Sequence, residues 1–555
     1  MEQEDFDVII SGGGPAGLTL AIDLGQRGVR TLLLEKNSEP QPWPKMERTN
    51  PRSMEIFAKM GLAEQIREVG YPADASMDIF VGTTLNKPAI VHLKFPTVAE
   101  YREQIAQCND GSQPAEPYQL VSQYALEPVL KAAAENSPGV TVRFGCETLG
   151  FEQYDDKVTV TYADLDGNVS TVPAAYLVAC DGGTSMIRKS LGIRLEGEGR
   201  IRHQAQVQFR SDTLYERIPM GKGRHYLLAD GSTIVVQGNR TDFTLHSALP
   251  VDTDFEAIIR DLIGFDIDFE VLRVNGWNHN LLVADRYRDG RVFIAGDAAH
   301  LVIPNGGLGM NTAVGDVSNL AWLLSGAVQG WGGPGLLDAY EVERRPVALF
   351  NREASRWATG NLIEWKQTVT AEIFEEGQAG DSARSRLAET AKAPTSRCYS
   401  MLGAELGYNY SASGLVVAEP TQPDWEISRY TPSAHPGSRL PHVWLEDGQA
   451  ISARLGKGFT FLSLRGENTS TDLLRAFADR GAPIESLVLN EPDIADLFHA
   501  DFLLVRPDLH IVWRGTAAPS DPSHLAAVAT GHAAAQAEPA DLGRFSAKSN
   551  LTAAS

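Results

Sequence analysis

Apolar residues near the start of the chain follow two periods in turn. The runs "FDVII" and "VRTLLLE" are short and continuously apolar, as in buried strands. Between them, "SGGGPAG" breaks the pattern and "LTLAIDLGQRG" has helical spacing, so residues 6–35 predict strand, glycine turn, helix, strand. Helical spacing recurs in "PRSMEIFAKMGLAEQIREVG" and "LEPVLKAAAEN". Between Asp181 and Asp297 the period shortens, and "AQVQFRSD", "HYLLAD", "STIVVQGN" and "DFTLHSAL" read as antiparallel strands separated by turn residues. Helical spacing returns from Ala313 into the mid-370s. Loop-like, Pro/Ser-rich sequence follows from about Tyr410 to Pro441, and "FTFLSLRG", "IESLVLN" and "FLLVRPDLHIVWRG" then predict strands with intervening helices.

This order predicts an α/β protein whose first domain is discontinuous. Residues 1–75, 104–190 and 281–375 form a Rossmann-like nucleotide-binding domain, and 76–103 with 191–280 form an inserted antiparallel-sheet domain that lines a substrate cavity. A linker over 376–435, a third domain over 436–540 and a loose tail over 541–555 complete the expectation. No period of 20–50 residues marks a solenoid.

Composition narrows the partners. The 555 residues carry 49 Lys plus Arg against 71 Asp plus Glu, a formal charge of −22. That balance opposes nucleic acid or an anionic membrane as the main partner, since both require basic patches. No apolar run reaches membrane-spanning length, and the acidic start enters a strand directly without a signal-peptide pattern. Cys108, Cys146, Cys180 and Cys398 lie far apart with no C-x-x-C, as in a reducing cytoplasm. No H-x-x-H, H-E-x-x-H or Cys/His cluster points to a metal, and no G-x-S-x-G to a hydrolase.

Three motifs carry chemistry. In "SGGGPAG", Gly12, Gly14 and Gly17 fit G-x-G-x-x-G, with Pro15 and Ala16 opening the helix. Glycines there allow a tight turn and bring helix N-terminal amides to a pyrophosphate, while Glu35 at the end of the second strand accepts hydrogen bonds from a ribose diol. Glutamate here, with Lys36 beside it, favours an adenosine ribose without a 2′-phosphate. In "VACDGGTSMIR", Asp181 and Gly182 follow an apolar run, and Ser185 and Arg188 stand one and two turns on, which suits either a plain turn or a ribose and phosphate contact. Cys180 reads as core. In "AGDAAHLVIPNGGLGMN", Gly296 and Asp297 follow a strand, and Gly306, Gly307 and Gly309 let backbone amides approach a developing negative charge.

In this order and spacing, the three motifs resemble the single-component flavoprotein aromatic hydroxylases, the class A monooxygenases with the p-hydroxybenzoate-hydroxylase fold. The resemblance covers roughly residues 5–350. It implies that the first motif holds the ADP half of FAD, and that Asp181 and Gly182 serve FAD and nicotinamide binding. It also places Asp297 on the ribityl chain, Pro304 near the reactive flavin carbon, and Gly307, Gly309, Met310 and Asn311 under the flavin edge. Gln123 in "LVSQYALEPVL" and Arg52 in "PRSMEIF" fall where the family contacts the cofactor. Glu47 occupies the place of an acid that takes the phenol proton, although "KMERT" departs from the family's usual "R-A-x-G-L". His300 is structural in the family. The C-terminal segments "LGYNYSASGLV", "HPGSRLPHVWL" and "LLVRPDLHIVWRG" resemble the linker and thioredoxin-like domain of phenol, chlorophenol and polyketide hydroxylases, where the domain packs or builds a dimer interface.

The resemblance therefore implies hydroxylation of a small phenolic or related aromatic substrate with O2, through a flavin C4a-hydroperoxide, with NADPH or NADH as transient hydride donor. A homodimer fits it. His225, Tyr226 and His246 are unranked polar candidates for the substrate cavity. Baeyer–Villiger or epoxidising oxygenation of a polyketide-like substrate, and a non-catalytic flavin scaffold, remain as alternatives. A halogenase would show W-x-W-x-I-P and a disulfide reductase a cysteine pair; neither is present.

Overall fold

A computed structural model describes residues 5–43, 45–467 and 469–533. The expected tail over 541–555 lies outside them. Strand Val8–Ser11 is fully buried at the centre of a six-stranded sheet, between Tyr176–Ala179 and Thr31–Glu35, both parallel to it. Val140–Phe144 closes one side; Val292–Ile294 and the antiparallel edge Arg288–Asp289 close the other. Helices Pro15–Gln26 and Gly309–Gln329 pack against each other and contribute to the same hydrophobic core. The parallel strands are covered on both faces, which accounts for their unbroken apolar runs. The chain between Glu147 and Ala174 forms a separate three-stranded antiparallel meander.

A seven-stranded sheet combines Ile79–Gly82 and Val91–Leu93 with five strands between His203 and Asn278. Its pleat sorts the side chains of "HQAQVQFR". Ala205, Val207 and Phe209 enter the core with Phe243, whereas Gln204 and Gln206 face a large cavity between the two sheets.

Residues 376–435 differ from the expected linker. They contain the 21-residue helix Gln378–Cys398, which packs on the long helix Ala339–Lys366 and on strand Val91–Leu93. Its sequence is polar, weakly amphipathic and interrupted by Pro394, so spacing conceals it. Its burial comes from Ala383, Leu387 and Ala391 against Ile79, Val91 and Trp365.

The last unit is a four-stranded sheet ordered Ile484–Val488, Phe459–Ser463, Phe502–Val505, Ile511–Gly515. The first pair is parallel and the others antiparallel, with helices Thr471–Ala478, Pro492–Phe498 and Pro522–Ala529. This β-α-β-α-β-β-α order is thioredoxin-like. None of the four cysteines lies within it.

Candidate active site

Backbone geometry explains the first glycines. Gly12 has φ of +112°, and a Cβ there would stand 2.2 Å from the carbonyl oxygen of Cys180. A Cβ on Gly17 would stand 1.9 Å from the carbonyl of Gly12, so helix and strand approach as closely as backbone permits. Gly14, the N-cap residue, is different: a Cβ there would meet nothing within 4 Å and would project into open space at the cavity wall. Pro15 follows at the first helical turn, and Ala16 also lines the cavity. This is an N-terminal cradle for an anion. Glu35 accepts from the Gly13 amide at 2.7 Å and the Asn37 amide at 2.9 Å, which aims the carboxylate at the same cavity beside Lys36.

Asp181 faces this cradle. One carboxylate oxygen accepts from the amides of Met186 (3.0 Å) and Ile187 (3.3 Å), while the other is buried without a partner. Burial raises its pKa, against the hydrogen bonds from Ser185 and those amides. Gly182 lines the wall, and Arg188 turns inward to the carbonyls of Ala298 and Gly183. Burial and the charge of Asp181 push the Cys180 thiol up, which disfavours its thiolate.

The third motif forms the floor. Gly296 takes φ of +61° in the turn after strand Val292–Ile294, and this directs Asp297 into the cavity. Burial raises the Asp297 pKa despite the opposing charges of His300 and Lys45. His300 is itself fully buried, 2.7 Å from Asp316, which also accepts from Arg344 at 2.8 Å. Pro304 accepts from the Gly307 amide at 2.8 Å in a tight turn, and Gly306 and Gly307 have φ of +90° and +66°. Pro304, Gly307, Gly309 and Met310 all line the cavity.

Asn311 has its side chain committed to backbone. It accepts from the Asn50 amide at 2.9 Å and donates to the carbonyls of Arg48 (3.0 Å) and Gly307 (2.6 Å). It braces the glycine loop against strand Arg48–Thr49. Gln123 lines the cavity and donates to Glu127 at 2.5 Å.

Arg52 is not at this site. It lies buried on helix Pro51–Lys59 and donates to the carbonyl of Asp508 at 2.7 Å, beneath the C-terminal unit. Asn50 caps that helix and Pro51 starts it, so the following residue is set on the face away from the cavity. The arginine of this segment that does line the cavity is Arg48, ion-paired with Glu405.

Glu47, just before strand Arg48–Thr49, does line the cavity, but one of its oxygens is fully engaged. It accepts from Arg224 Nε at 3.0 Å, is also ion-paired with Arg224 Nη2, and lies 2.7 Å from His225 Nε2. Burial opposes its ionisation, but the charges and hydrogen bonds of Arg224 and His225 outweigh that and hold its pKa at about 2. Of the three unranked candidates, His225 and His246 reach the cavity wall. Tyr226 is buried on the other side of the strand, donating to the Gly221 carbonyl at 2.8 Å. Arg224, Tyr399 and Lys366 are lining residues that spacing did not single out. Tyr399 follows the helix concealed in the linker, and Lys366 ends a long helix where a basic residue is ordinary.

The cavity enclosed by these elements is about 1230 Å³ and continuous from the glycine cradle to the seven-stranded sheet. It suits a dinucleotide and a second molecule together. The cradle open at Gly14, the unpartnered Asp181 oxygen and the inward Asp297 fit a flavin dinucleotide. Among the described residues no group of three or more His, Cys, Asp or Glu could hold a metal ion.

Comparison with known proteins agrees. Residues 5–353 match the FAD binding domain model, and residues 433–534 match the model described as aromatic-ring hydroxylase, C-terminal. The chain is 35% identical over 544 residues to the FAD-dependent monooxygenase apdD of Emericella nidulans, covering 92% of this chain and 87% of that one. It is 30% identical to the aklavinone 12-hydroxylase RdmE of Streptomyces purpurascens, covering 94% and 97%. A solved structure of the rebeccamycin biosynthetic enzyme RebC with reduced flavin is 32% identical and superposes with a TM-score of 0.88, covering 96% of this chain and all of that one.

Proposed function

The chain belongs to the FAD-dependent aromatic-ring hydroxylases, and from that premise we propose that it inserts one oxygen atom of O2 into a phenolic or enolic ring, with NADH or NADPH as reductant. It is an FAD-dependent monooxygenase. When bound, FAD carries electrons from the nicotinamide to O2 and supplies the oxygen-transfer chemistry. The protein binds, orients and shields it. The first-turn amides of helix Pro15–Gln26 would hold the pyrophosphate, Glu35 the adenosine ribose, and Asp297 the ribityl hydroxyls, since all line the one cavity. Gly306, Gly307 and Gly309, beside Pro304, would let backbone approach the flavin without a Cβ in the way.

The single observation that carries the substrate reading is the cavity wall around His225, where Val235 pairs with it across the sheet and the Phe95 ring lies 5.7 Å from that of Tyr399. There Phe95, Leu227 and Val235 offer apolar surface around one polar group of Glu47, Arg224, His225 and Tyr399. Such a wall receives a planar apolar ring and engages one acidic hydroxyl. The cavity's size favours a polycyclic or polyketide-like ring over phenol itself. Baeyer–Villiger or epoxide chemistry would not need a group that takes a hydroxyl proton, and the polar group favours ring hydroxylation.

A cytoplasmic enzyme acting without nucleic acid or membrane, as a homodimer, completes the proposal. The net charge of −22 opposes a nucleic acid or anionic membrane partner, and the four free cysteines suit a reducing compartment. Among the described residues no helix is long and apolar enough to cross a membrane.

The test is to purify the protein with FAD and offer phenols, naphthols and polycyclic enols. Stimulated NADH or NADPH oxidation with O2 uptake, and a product heavier by one oxygen atom, is the expected result. Protein that neither retains nor binds added FAD would overturn the reading, as would flavin-loaded protein whose NAD(P)H oxidation no compound stimulates.

A further inference from the structure

His225 bridges two groups that come from distant parts of the chain. Its Nε2 lies 2.7 Å from Glu47 and its Nδ1 lies 2.7 Å from the Tyr399 hydroxyl. All three residues line the cavity. The hydrogens of this chain of contacts can be assigned. A carboxylate only accepts, so Nε2 carries a proton and donates to Glu47. Burial, with the charge of Arg224 beside it, lowers the pKa of His225 despite Glu47, so the ring is neutral at pH 7 and Nδ1 is an acceptor. Tyr399 must then donate its own hydrogen to Nδ1, which leaves the lone pairs of its hydroxyl oxygen available to the cavity.

The geometry points to a proton relay in which the Tyr399 hydroxyl takes the acidic proton of the substrate while passing its own to His225 Nδ1, with Glu47 holding the imidazole from behind. This inference rests on the proposed function and deepens it. The step balances. One substrate O–H bond and the Tyr399 O–H bond break, a new Tyr399 O–H bond and an Nδ1–H bond form, and a neutral pair becomes an anionic ring facing an imidazolium. No electron changes hands. Tyr399 is the catalytic residue, because it meets the substrate; His225 and Glu47 act through it.

Two observations place the relay beside the glycine loop. A Cβ on Gly306 would meet the Met401 side chain at 3.4 Å, and one on Gly307 would meet Arg48 at 3.7 Å. The segments bearing Tyr399 and Glu47 thus flank the glycine loop from two sides. Glu47 itself suits the accepting role poorly. Its Oε1 already serves Arg224 and His225, and although its Oε2 is buried without a partner, the carboxylate is held ionised with a pKa of about 2 and is a weak base. The direct-base role expected for Glu47 becomes a positioning role. The other titratable or charged groups around the relay are Arg224, His246, Tyr118, Tyr71 and Cys398. Burial keeps His246 neutral with a pKa lowered to about 4, and raises the pKa of each of the two tyrosines and of Cys398.

The test uses the FAD-loaded enzyme with p-nitrophenol, whose anion is yellow. Bound to wild type, the probe is expected to ionise at a lower pH than in free solution. In Tyr399→Phe and His225→Gln it should ionise at or above its free-solution pH, and Glu47→Gln should fall between. With a phenol that turns over, Tyr399→Phe is expected to lower kcat/KM by about a hundredfold below the phenol's own pKa and to recover above it, where the substrate arrives ionised. Damage to packing alone would show no such recovery. Flavin content and melting temperature of each variant establish that it is folded. A wild-type enzyme that leaves the probe unbound or with its free-solution ionisation overturns the relay. So do folded Tyr399→Phe and His225→Gln enzymes that ionise it as wild type does. Either result leaves flavin binding and NAD(P)H oxidation, and hence the proposed function, to stand on their own measurements.

Discussion

Arg506 and Glu343 form a fully buried, two-pronged ion pair, with nitrogen–oxygen distances of 2.7 and 2.6 Å, across 163 residues of sequence. The pair joins the C-terminal thioredoxin-like unit to the long helix behind the flavin-binding sheet. Asp508, Asn319 and Ser413 complete it: Asp508 accepts from Arg506 at 2.7 Å, and Asn319 and Ser413 donate to Glu343 at 2.6 and 2.5 Å. Every charge in the group has a partner, as burial at this depth requires. The C-terminal unit is therefore built into the same body as the FAD site.

Removing one member of that pair should be costly. Arg506→Met leaves Glu343 buried with only neutral donors and is expected to destabilise the protein by about 3–5 kcal/mol. Thermal unfolding followed by both flavin release and circular dichroism checks it. A melting temperature within a degree or so of wild type would show that the pair contributes little to holding the units together.

Asp297→Ala tests the floor of the cofactor site. Loss of a charge-assisted contact to the ribityl hydroxyls should weaken FAD binding by about tenfold to a hundredfold, or ~1.5–3 kcal/mol. Activity should return when FAD is added in excess. Flavin fluorescence titration of the stripped protein reads the effect directly.

Gly12→Ala separates backbone geometry from cofactor contact. The added methyl would stand 2.2 Å from the Cys180 carbonyl at a residue with φ of +112°. A loss of at least roughly 2 kcal/mol is expected. It should appear in the melting temperature even without FAD, unlike the Asp297→Ala effect.

Acid should destabilise the fold from near pH 6.5 downward. Burial lowers the pKa of His246 and of His510 to about 4, the latter despite Asp508. As pH falls from 6.5 toward 4 the unfolded chain takes up these protons and the folded one does not, so stability is full above 6.5 and declines across that window. Each histidine contributes a slope of up to ~1.4 kcal/mol per pH unit. His246→Gln should flatten the melting-temperature profile there; an unchanged profile would mean that His246 ionises freely in the folded state.

The sequence by itself determined the cofactor half of this protein. "SGGGPAG", Glu35, Asp181 and "AGDAAHLVIPNGGLGMN" could be read because each requirement is local: a positive φ, a close backbone approach, or an acid at the end of a strand. The pleat of "HQAQVQFR" was legible for the same reason, since a period of two shows within eight residues. Arg52 was not, because its direction depends on where Asn50 and Pro51 start a helix and on what packs behind it. Nor was Tyr399, which follows a polar helix that is held by contacts made elsewhere in the chain. The substrate half was decided only by tertiary structure. His225 meets Glu47 from 178 residues away and Tyr399 from 174, and no periodicity records such a distance. The basicity of each group in that trio is set by burial and by neighbouring charge, and both exist only once the sheets, the long helices and the glycine loop have closed around them.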